Sequence, residues 1–228
     1  MDGRYGLIFD VDGVIADTEG VNFRATRKVF ADLFGVNDVK RTDFEAGIGR
    51  GAEAYVLAAA RVHGLEPSDE EVQRAVRARQ DNFLALLDQE PLPSFPGVLE
   101  LIETGLNDEQ FHLAIATSGS REKSQAALEA AGIPHRQMVY ITGDDVSRKK
   151  PDPELFLTAA DRLELEPDRC LVIEDAPDGV KAAKVAGTVC LAVTNTTTAD
   201  HLEQADLIVD SLENVHLTDV RRLIDGEL

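Results

Sequence analysis

From residue 98 to residue 209 the chain alternates between apolar runs of strand length and segments with apolar residues at three- and four-residue spacing. That alternation admits few folds. A strand followed by a helix and then by another strand of the same sheet returns through a crossover, which makes the sheet parallel. Val98–Leu106 is apolar at helical spacing and His112–Ala116 reads as a strand. Glu122–Ala131 reads as a helix stopped by Gly132 and Pro134, and Met138–Thr142 as the next strand. Pro153–Leu163 is a helix with proline near its first turn, Cys170–Ile173 a continuous apolar strand, and Gly179–Ala186 a helix. Val189–Val193 and the short edge Leu207–Val209 complete the set, and the apolar run Leu7-Ile8-Phe9 supplies a first strand near the start of the chain. The expected class is α/β, a Rossmann-like parallel sheet with helices on both faces.

Between the first strand and the alternating region the pattern changes. Val21–Phe34, Ala52–His63 and Asp69–Leu87 carry apolar residues mainly at helical spacing with no strand between them. They predict a small helical bundle inserted into the sheet domain. Pro91, Pro93, Pro96 and Gly97 mark the return of the chain. The expected division is therefore a core of residues 1–16 and 91–228 with a helical insert, or cap, of residues 17–90, the insert placed to cover the active edge of the core.

Composition narrows the function classes. Hydrophobic and charged contents of 43% and 29% suit a water-soluble globular chain. No apolar run reaches the roughly 18 residues of a membrane span, and no basic-then-apolar leader opens the sequence, so no membrane association and a cytoplasmic location are expected. The formal charge of −19 argues against nonspecific nucleic-acid binding, which needs basic surface. It leaves room for a small phosphorylated substrate held by a local cluster of cations. Only seven of the 23 basic residues are Lys, an acid-rich, Lys-poor balance compatible with adaptation to salt. Cys170 and Cys190 fall in apolar strand-like segments, which favours buried free thiols over a disulfide or a metal pair. No apolar helix face is surplus to the two cores, so a monomer is expected.

Four polar clusters stand at the ends of the predicted strands, where loops of a parallel sheet form a ligand crevice. Asp10 and Asp12, in Asp10-Val11-Asp12-Gly13-Val14, follow the first strand, and residues two apart in extended chain project to one side. They are either two turn aspartates or a pair held together by a divalent cation, which offsets their repulsion and admits a phosphate. Thr117-Ser118-Gly119-Ser120 precedes a helix, as an anion grip of hydroxyls and backbone N–H groups or as a plain helix cap. Lys150, in Arg148-Lys149-Lys150-Pro151, is either solvated surface or a cation fixed beside a helix start. Glu174 and Asp175 end another strand and are able to complete an oxygen-only metal site. Together the clusters suit phosphoryl transfer, where positioning and charge neutralisation do most of the work.

The sequence resembles the haloacid dehalogenase superfamily. Asp10-Val11-Asp12-Gly13-Val14, Thr117, Lys150-Pro151 and Glu174-Asp175 match its four motifs in order. The helical insert and the run Glu174-Asp175-Ala-Pro-Asp-Gly179-Val-Lys-Ala-Ala183 are similar to the branch of β-phosphoglucomutase and sugar-phosphate phosphatases. The resemblance implies Asp10 as nucleophile, forming an aspartyl phosphate, and Asp12 as general acid and base. It implies Mg²⁺ held by Asp10, the Asp12 main-chain oxygen, Asp175 and Glu174, the last directly or through water. Thr117, Ser118 and Gly119 would bind the phosphoryl oxygens, and Lys150 would bridge nucleophile and phosphate. Asp12 favours phosphate esters over halides, because an ester oxygen benefits from an acid.

The insert would carry selectivity through Arg50, in Gly47-Ile48-Gly49-Arg50-Gly51, and through Arg79, in Arg77-Ala-Arg79. For both, the alternative is an arginine facing solvent. Where the mutase branch has His shortly after Asp-Thr, this chain has Asn22, which moves the reading from mutase to phosphatase. The expected activity is a Mg²⁺-dependent phosphatase of a small phosphorylated metabolite. A phosphosugar mutase, and a non-catalytic binder of a phosphorylated ligand or partner, are its alternatives.

Overall fold

The computed structural model describes residues 3–47 and 52–227. Six strands form one sheet: β1 (Tyr5–Phe9), β2 (Phe111–Ala116), β3 (Val139–Ile141), β4 (Cys170–Glu174), β5 (Val189–Val193) and β6 (Leu207–Val209). Their order is β3-β2-β1-β4-β5-β6, and every neighbouring pair is parallel. All five residues of β1 and of β4 are buried, as expected for central strands covered on both faces. Phe9 is in register with Ile115 on one side and with Ile173 on the other, so three strands end at one level and release their loops together.

The chain divides into two compact units, Met1–Asp17 with Leu92–Leu228 and Thr18–Pro91. In the sheet unit α4 (Val98–Leu106), α5 (Arg121–Ala130), α6 (Glu154–Arg162), α7 (Pro177–Ala186) and α8 (Leu217–Ile224) connect or follow the strands. On one face Ile8, Ala114, Ile141, Val172 and Ala192 form a core with Leu155, Phe156 and Ala159 of α6 and Val180, Ala182 and Ala183 of α7. The other face receives α4 and α8. The α8 helix was not expected from the sequence. It is two turns long, and its apolar residues Leu217, Val220, Leu223 and Ile224 are interrupted by Arg221-Arg222, too short a pattern to stand out. Cys170 and Cys190 are buried free thiols, and burial pushes Cys170 up to about 12, which keeps it an inert thiol.

The insert unit contains α1 (Thr18–Phe34), a 3-10 turn at Arg41–Gly47, α2 (Ala52–Val62) and α3 (Asp69–Gln89). The three helices are those the spacing predicts, with α1 and α3 extended by a few residues at their ends. A capping box fixes the start of α3: the Glu71 carboxylate accepts the Ser68 N–H at 2.8 Å while the Ser68 hydroxyl accepts the Glu71 N–H. The unit's own core is aromatic, with Phe44 stacked on Tyr55 at 4.5 Å and edge-on to Phe30 at 6.0 Å. His63, expected in α2, lies beyond its end and meets Asp43 of the 3-10 turn at 2.9 Å. Among the described residues, no helix is long and apolar enough to cross a membrane.

Candidate active site

Each strand end fixes one reactive group by extending the sheet's hydrogen bonding one residue further. The Asp10 N–H donates to the Ile173 carbonyl at 3.1 Å, and the Thr117 N–H donates to the Ile141 carbonyl at 3.1 Å. Asp10 and Thr117 therefore start their loops on rigid backbone, both buried. Glu174 is the last residue of β4, and Asp175 follows it, also buried.

Asp10, Glu174 and Asp175 each offer a carboxylate oxygen to a cluster in which the oxygens lie within 4.8 Å of one another. Lys150 reaches this cluster from the loop between β3 and α6. Its Nζ donates to Asp10 Oδ1 and to Glu174 Oε1, each at 2.5 Å. The Lys150 side chain is 11% exposed, and its amine sits over the Phe156 ring at 5.0 Å. Burial opposes its charge, but Asp10 and Glu174 more than offset that cost and hold its pKa above the usual lysine range. The sequence left Lys150 open between surface and site; the structure brings it against Asp10 and Glu174.

Among the described residues, three buried carboxylates against one amine leave two negative charges in excess when all are ionised. The excess appears in the acids. Burial pushes Asp10 up to about 7; Lys150 pulls it down, and Glu174 and Asp12 push it further up. Asp175 is raised well above the carboxylate range, by burial first and then by Glu174 and Asp10. Oxygen-only donors, close together, buried and short of positive charge, fit a hard divalent cation.

Glycine makes the crowding possible at two positions. A Cβ on Gly179, in α7, would fall 2.0 Å from Glu174 Cδ, so the carboxyl group lies against the helix backbone. There Glu174 Oε2 accepts the N–H groups of Asp175 and Ala176, at 2.9 and 3.2 Å. Gly13 has φ +81°, and a Cβ there would fall 2.0 Å from Asp175 Oδ2.

Asp10 and Asp12 follow the first strand rather than extend it, and the Asp12 charge is still felt at Asp10. The strand ends at Phe9, and the chain turns at once: the N–H groups of Ile15 and Ala16 return to the Val11 carbonyl at 3.0 and 3.3 Å. Asp10 is buried while Asp12 is exposed. The Asp12 carboxylate lies toward the turn after β2, its Oδ2 3.9 Å from where a Cβ on Gly119 would be.

That turn is built as a cradle. The Thr117 hydroxyl accepts the Gly119 N–H at 3.0 Å, and the Gly119 carbonyl accepts the Gly143 N–H at 2.8 Å. Ser120 of this segment is the N-cap of α5, and its carbonyl accepts the Ser124 N–H at 3.0 Å. Ser120 makes no side-chain cap, and Asp144 from the next loop accepts the Arg121 N–H at 2.8 Å instead. The Ser118 hydroxyl is buried without a hydrogen-bond partner.

Two residues at the site escaped the sequence reading. In the loop after β5, the Asn195 side-chain amide donates to the Gly13 carbonyl at 2.8 Å and the Thr196 hydroxyl donates to the Asp175 carboxylate. The rule that found the other clusters, a polar group at a strand's carboxyl end, also covers Thr194-Asn195-Thr196 after β5. The segment carries no charge and so did not stand out.

Within the insert unit, the structure brings Asn22 and Arg79 together. Arg79 Nη2 donates to Asn22 Oδ1 at 2.9 Å, Nε donates to the Thr26 hydroxyl at 3.0 Å, and the guanidinium stacks on Tyr55 at 4.8 Å. Arg50 lies outside the described residues.

The profile of the family described as "Haloacid dehalogenase-like hydrolase" matches residues 7–193. The chain is 34% identical over 213 residues to validoxylamine A 7'-phosphate phosphatase of Streptomyces hygroscopicus subsp. limoneus, covering 91% of this chain and 94% of that protein. It is 29% identical over 213 residues to hexitol phosphatase A of Escherichia coli (strain K12), covering 93% and 94% of the two chains. A crystal structure of CbbY from Rhodobacter sphaeroides, in complex with xylulose-(1,5)bisphosphate, superposes with a TM-score of 0.83 at 28% identity, over 95% of this chain and 98% of that one.

Proposed function

The chain belongs to the haloacid dehalogenase-like hydrolases, and from that premise we propose that it is a Mg²⁺-dependent phosphatase of a small phosphorylated sugar or polyol. The observation that carries this reading is the meeting of Asp10, Lys150, Glu174 and Asp175 beside the Thr117–Gly119 cradle. Phosphatase relatives similar over nine-tenths of the chain support it.

In this reading Asp10 is the nucleophile. Its carboxylate attacks the phosphorus, the bond from phosphorus to the ester oxygen breaks, and Asp12 gives its proton to the departing oxygen. Exposure suits Asp12 to that task, because the acid has to exchange protons with substrate and then water. Asp12 next takes a proton from the water that attacks the aspartyl phosphate, releasing inorganic phosphate and restoring Asp10. The Ser118 hydroxyl and the Gly119 turn hold the phosphoryl oxygens, and Lys150 keeps Asp10 oriented while offsetting charge.

Asp10, Glu174, Asp175 and the Asp12 main-chain oxygen are the groups that would hold Mg²⁺, whose charge would let an anionic ester approach an acidic site. Arg79, Asn22 and Arg50 are the insert's candidates for substrate selectivity. Asn22, with its Oδ1 occupied by Arg79, stands where the mutase branch has His, and phosphate release is favoured over return to a second hydroxyl.

Inorganic phosphate release from a panel of sugar and polyol phosphates, with and without Mg²⁺, tests the proposal. Asp10→Asn is expected to lose at least about 10³-fold in kcat. Equal rates in the two proteins reject Asp10 as nucleophile. Phosphorus NMR on a hexose 1-phosphate separates the mutase: conversion to a 6-phosphate with little free phosphate rejects the phosphatase.

A further inference from the structure

The loop after β5 touches two parts of the site at once. Thr196 Oγ1 donates to Asp175 Oδ2 and also lies 3.1 Å from the Asp175 main-chain oxygen. A hydroxyl carries one proton, and the carboxylate is the stronger acceptor, so Oδ2 is the oxygen that receives it. The same oxygen is backed by Gly13, where a Cβ would fall 2.0 Å away. Asn195 closes the arrangement by donating to the Gly13 carbonyl at 2.8 Å. Asp175 Oδ2 is thus enclosed between a hydroxyl and a backbone turn that is itself tied to the same loop.

The other two carboxylates are committed in a similar way. Lys150 occupies Asp10 Oδ1 and Glu174 Oε1, and two backbone N–H groups occupy Glu174 Oε2. Each acid therefore has at least one oxygen engaged by the protein. That matters for the choice of cation. Mg²⁺ takes near-octahedral coordination at about 2.0–2.1 Å and accepts single oxygens, whereas Ca²⁺ takes about 6–8 ligands at roughly 2.3–2.6 Å and often chelates both oxygens of a carboxylate.

We propose that Thr196 is a positioning residue that holds Asp175 to a single offered oxygen and thereby sets the preference of the site for Mg²⁺ over Ca²⁺. The inference rests on the reading of Asp10, Glu174 and Asp175 as a divalent-cation site. Thr196 acts through Asp175, and Asn195 acts through Gly13. Removing the hydroxyl frees Oδ2 to join Oδ1 on a larger ion.

Calorimetric titration of Mg²⁺ and of Ca²⁺ into the metal-free full chain tests this, with wild type, Thr196→Val, Thr196→Ser and Asp175→Asn compared. Thr196→Val keeps the methyl group that packs against Gly13 and removes only the donor. It is expected to weaken Mg²⁺ binding by about 10- to 100-fold while Ca²⁺ binding holds or tightens, so the ratio of the two Kd values moves toward Ca²⁺ by at least that factor. Thr196→Ser is expected to return the ratio to that of wild type. If the valine variant does not fold, Thr196→Ala carries the same expectation, with folding followed by circular dichroism. A general loosening of the loop would weaken both cations together; an unchanged ratio in Thr196→Val, with binding lost in Asp175→Asn, overturns the role of Thr196 and leaves the cation site standing. Wild type that binds neither cation overturns both.

Discussion

Each unit of the chain has a buried polar cluster, and the two differ in charge balance. In the insert unit, the half-exposed Arg79 is held by the neutral acceptors Asn22 and Thr26, and Tyr55 donates to Glu19 at 2.6 Å. The Arg79 guanidinium and the Glu19 carboxylate are joined through the Tyr55 ring, with the Arg41 charge also felt there. In the sheet unit three carboxylates share one lysine. The first cluster is complete as folded, whereas the second is complete only when protons or a cation join it. A protein that spends stability on such a deficit is poised to bind something positive, and through it something phosphorylated.

The comparison breaks most sharply at the two cations. Lys150→Met leaves the buried acids of the sheet unit without their cationic partner, and the expected cost is about 3–5 kcal/mol in the absence of divalent cation. Phosphate release is expected to fall at least about 10³-fold, since the nucleophile loses its orienting donor. Arg79→Met takes a donor from the neutral acceptors Asn22 and Thr26, and about 1–2 kcal/mol is expected. Its effect on catalysis should fall on KM more than on kcat. Denaturant unfolding and steady-state kinetics check both; similar stability losses would mean that the two clusters are not different in kind.

A smaller effect is expected at Gly179. In Gly179→Ala the new methyl would fall on the Glu174 carboxyl group, and α7 cannot shift without disturbing its packing against the sheet. Overpacking of this sort costs about 1–3 kcal/mol. Displacing Glu174 should also weaken Mg²⁺ by about 10-fold or more. A variant that melts earlier but binds Mg²⁺ as wild type does would show that Glu174 is not among the groups that hold the cation.

Charge imbalance also gives the sheet unit a pH dependence. An aspartate in an unfolded chain titrates near about 3.9, while Asp10 in the fold is pushed up to about 7, by burial above all. Between those values the folded chain keeps a proton that the unfolded chain has released. Stability therefore falls as pH rises through that window and levels off above it. The raised Asp175 acts in the same direction. Without divalent cation the melting temperature should drop between pH 5 and pH 7.5, less in Asp10→Asn, and saturating Mg²⁺ should flatten the profile. A wild-type profile parallel to that of Asp10→Asn contradicts the deficit.

Much of this site was legible in the sequence because strand ends are. Continuous apolar runs fix where β1, β2 and β4 stop, and Asp10, Thr117, Glu174 and Asp175 stand at those stops. What lay beyond the strands was harder. Alternation carried two residues past Phe9 puts Asp10 and Asp12 on one side, whereas the turn that follows buries one and exposes the other. Glu174 was read as an acid awaiting metal; its contact with Lys150 spans 24 residues and no local pattern records it. Asn22 and Arg79, 57 residues apart, were singled out separately for the same reason. Thr196 was passed over because a hydroxyl in a run of threonines has no charge to distinguish it, and its role depends on where Gly13 brings the first turn.

The least disruptive change probes the insert unit alone. Tyr55→Phe removes the hydroxyl that donates to Glu19 and keeps the ring that stacks on Phe44 and beneath Arg79. Burial and Glu19 together hold the Tyr55 phenol well above its usual pKa, so it stays neutral and a donor over the whole accessible pH range. Losing one neutral donor to a half-exposed acid should cost about 1 kcal/mol. Because Glu19 can turn to water for the missing donor, the loss should not grow with pH between 6 and 8. Mg²⁺ affinity should also be unchanged, as the cluster in the sheet unit has its own partners. Chemical unfolding at the two pH values, with cation titration alongside, reads all three quantities; a shift in Mg²⁺ affinity would mean that the two polar clusters are coupled.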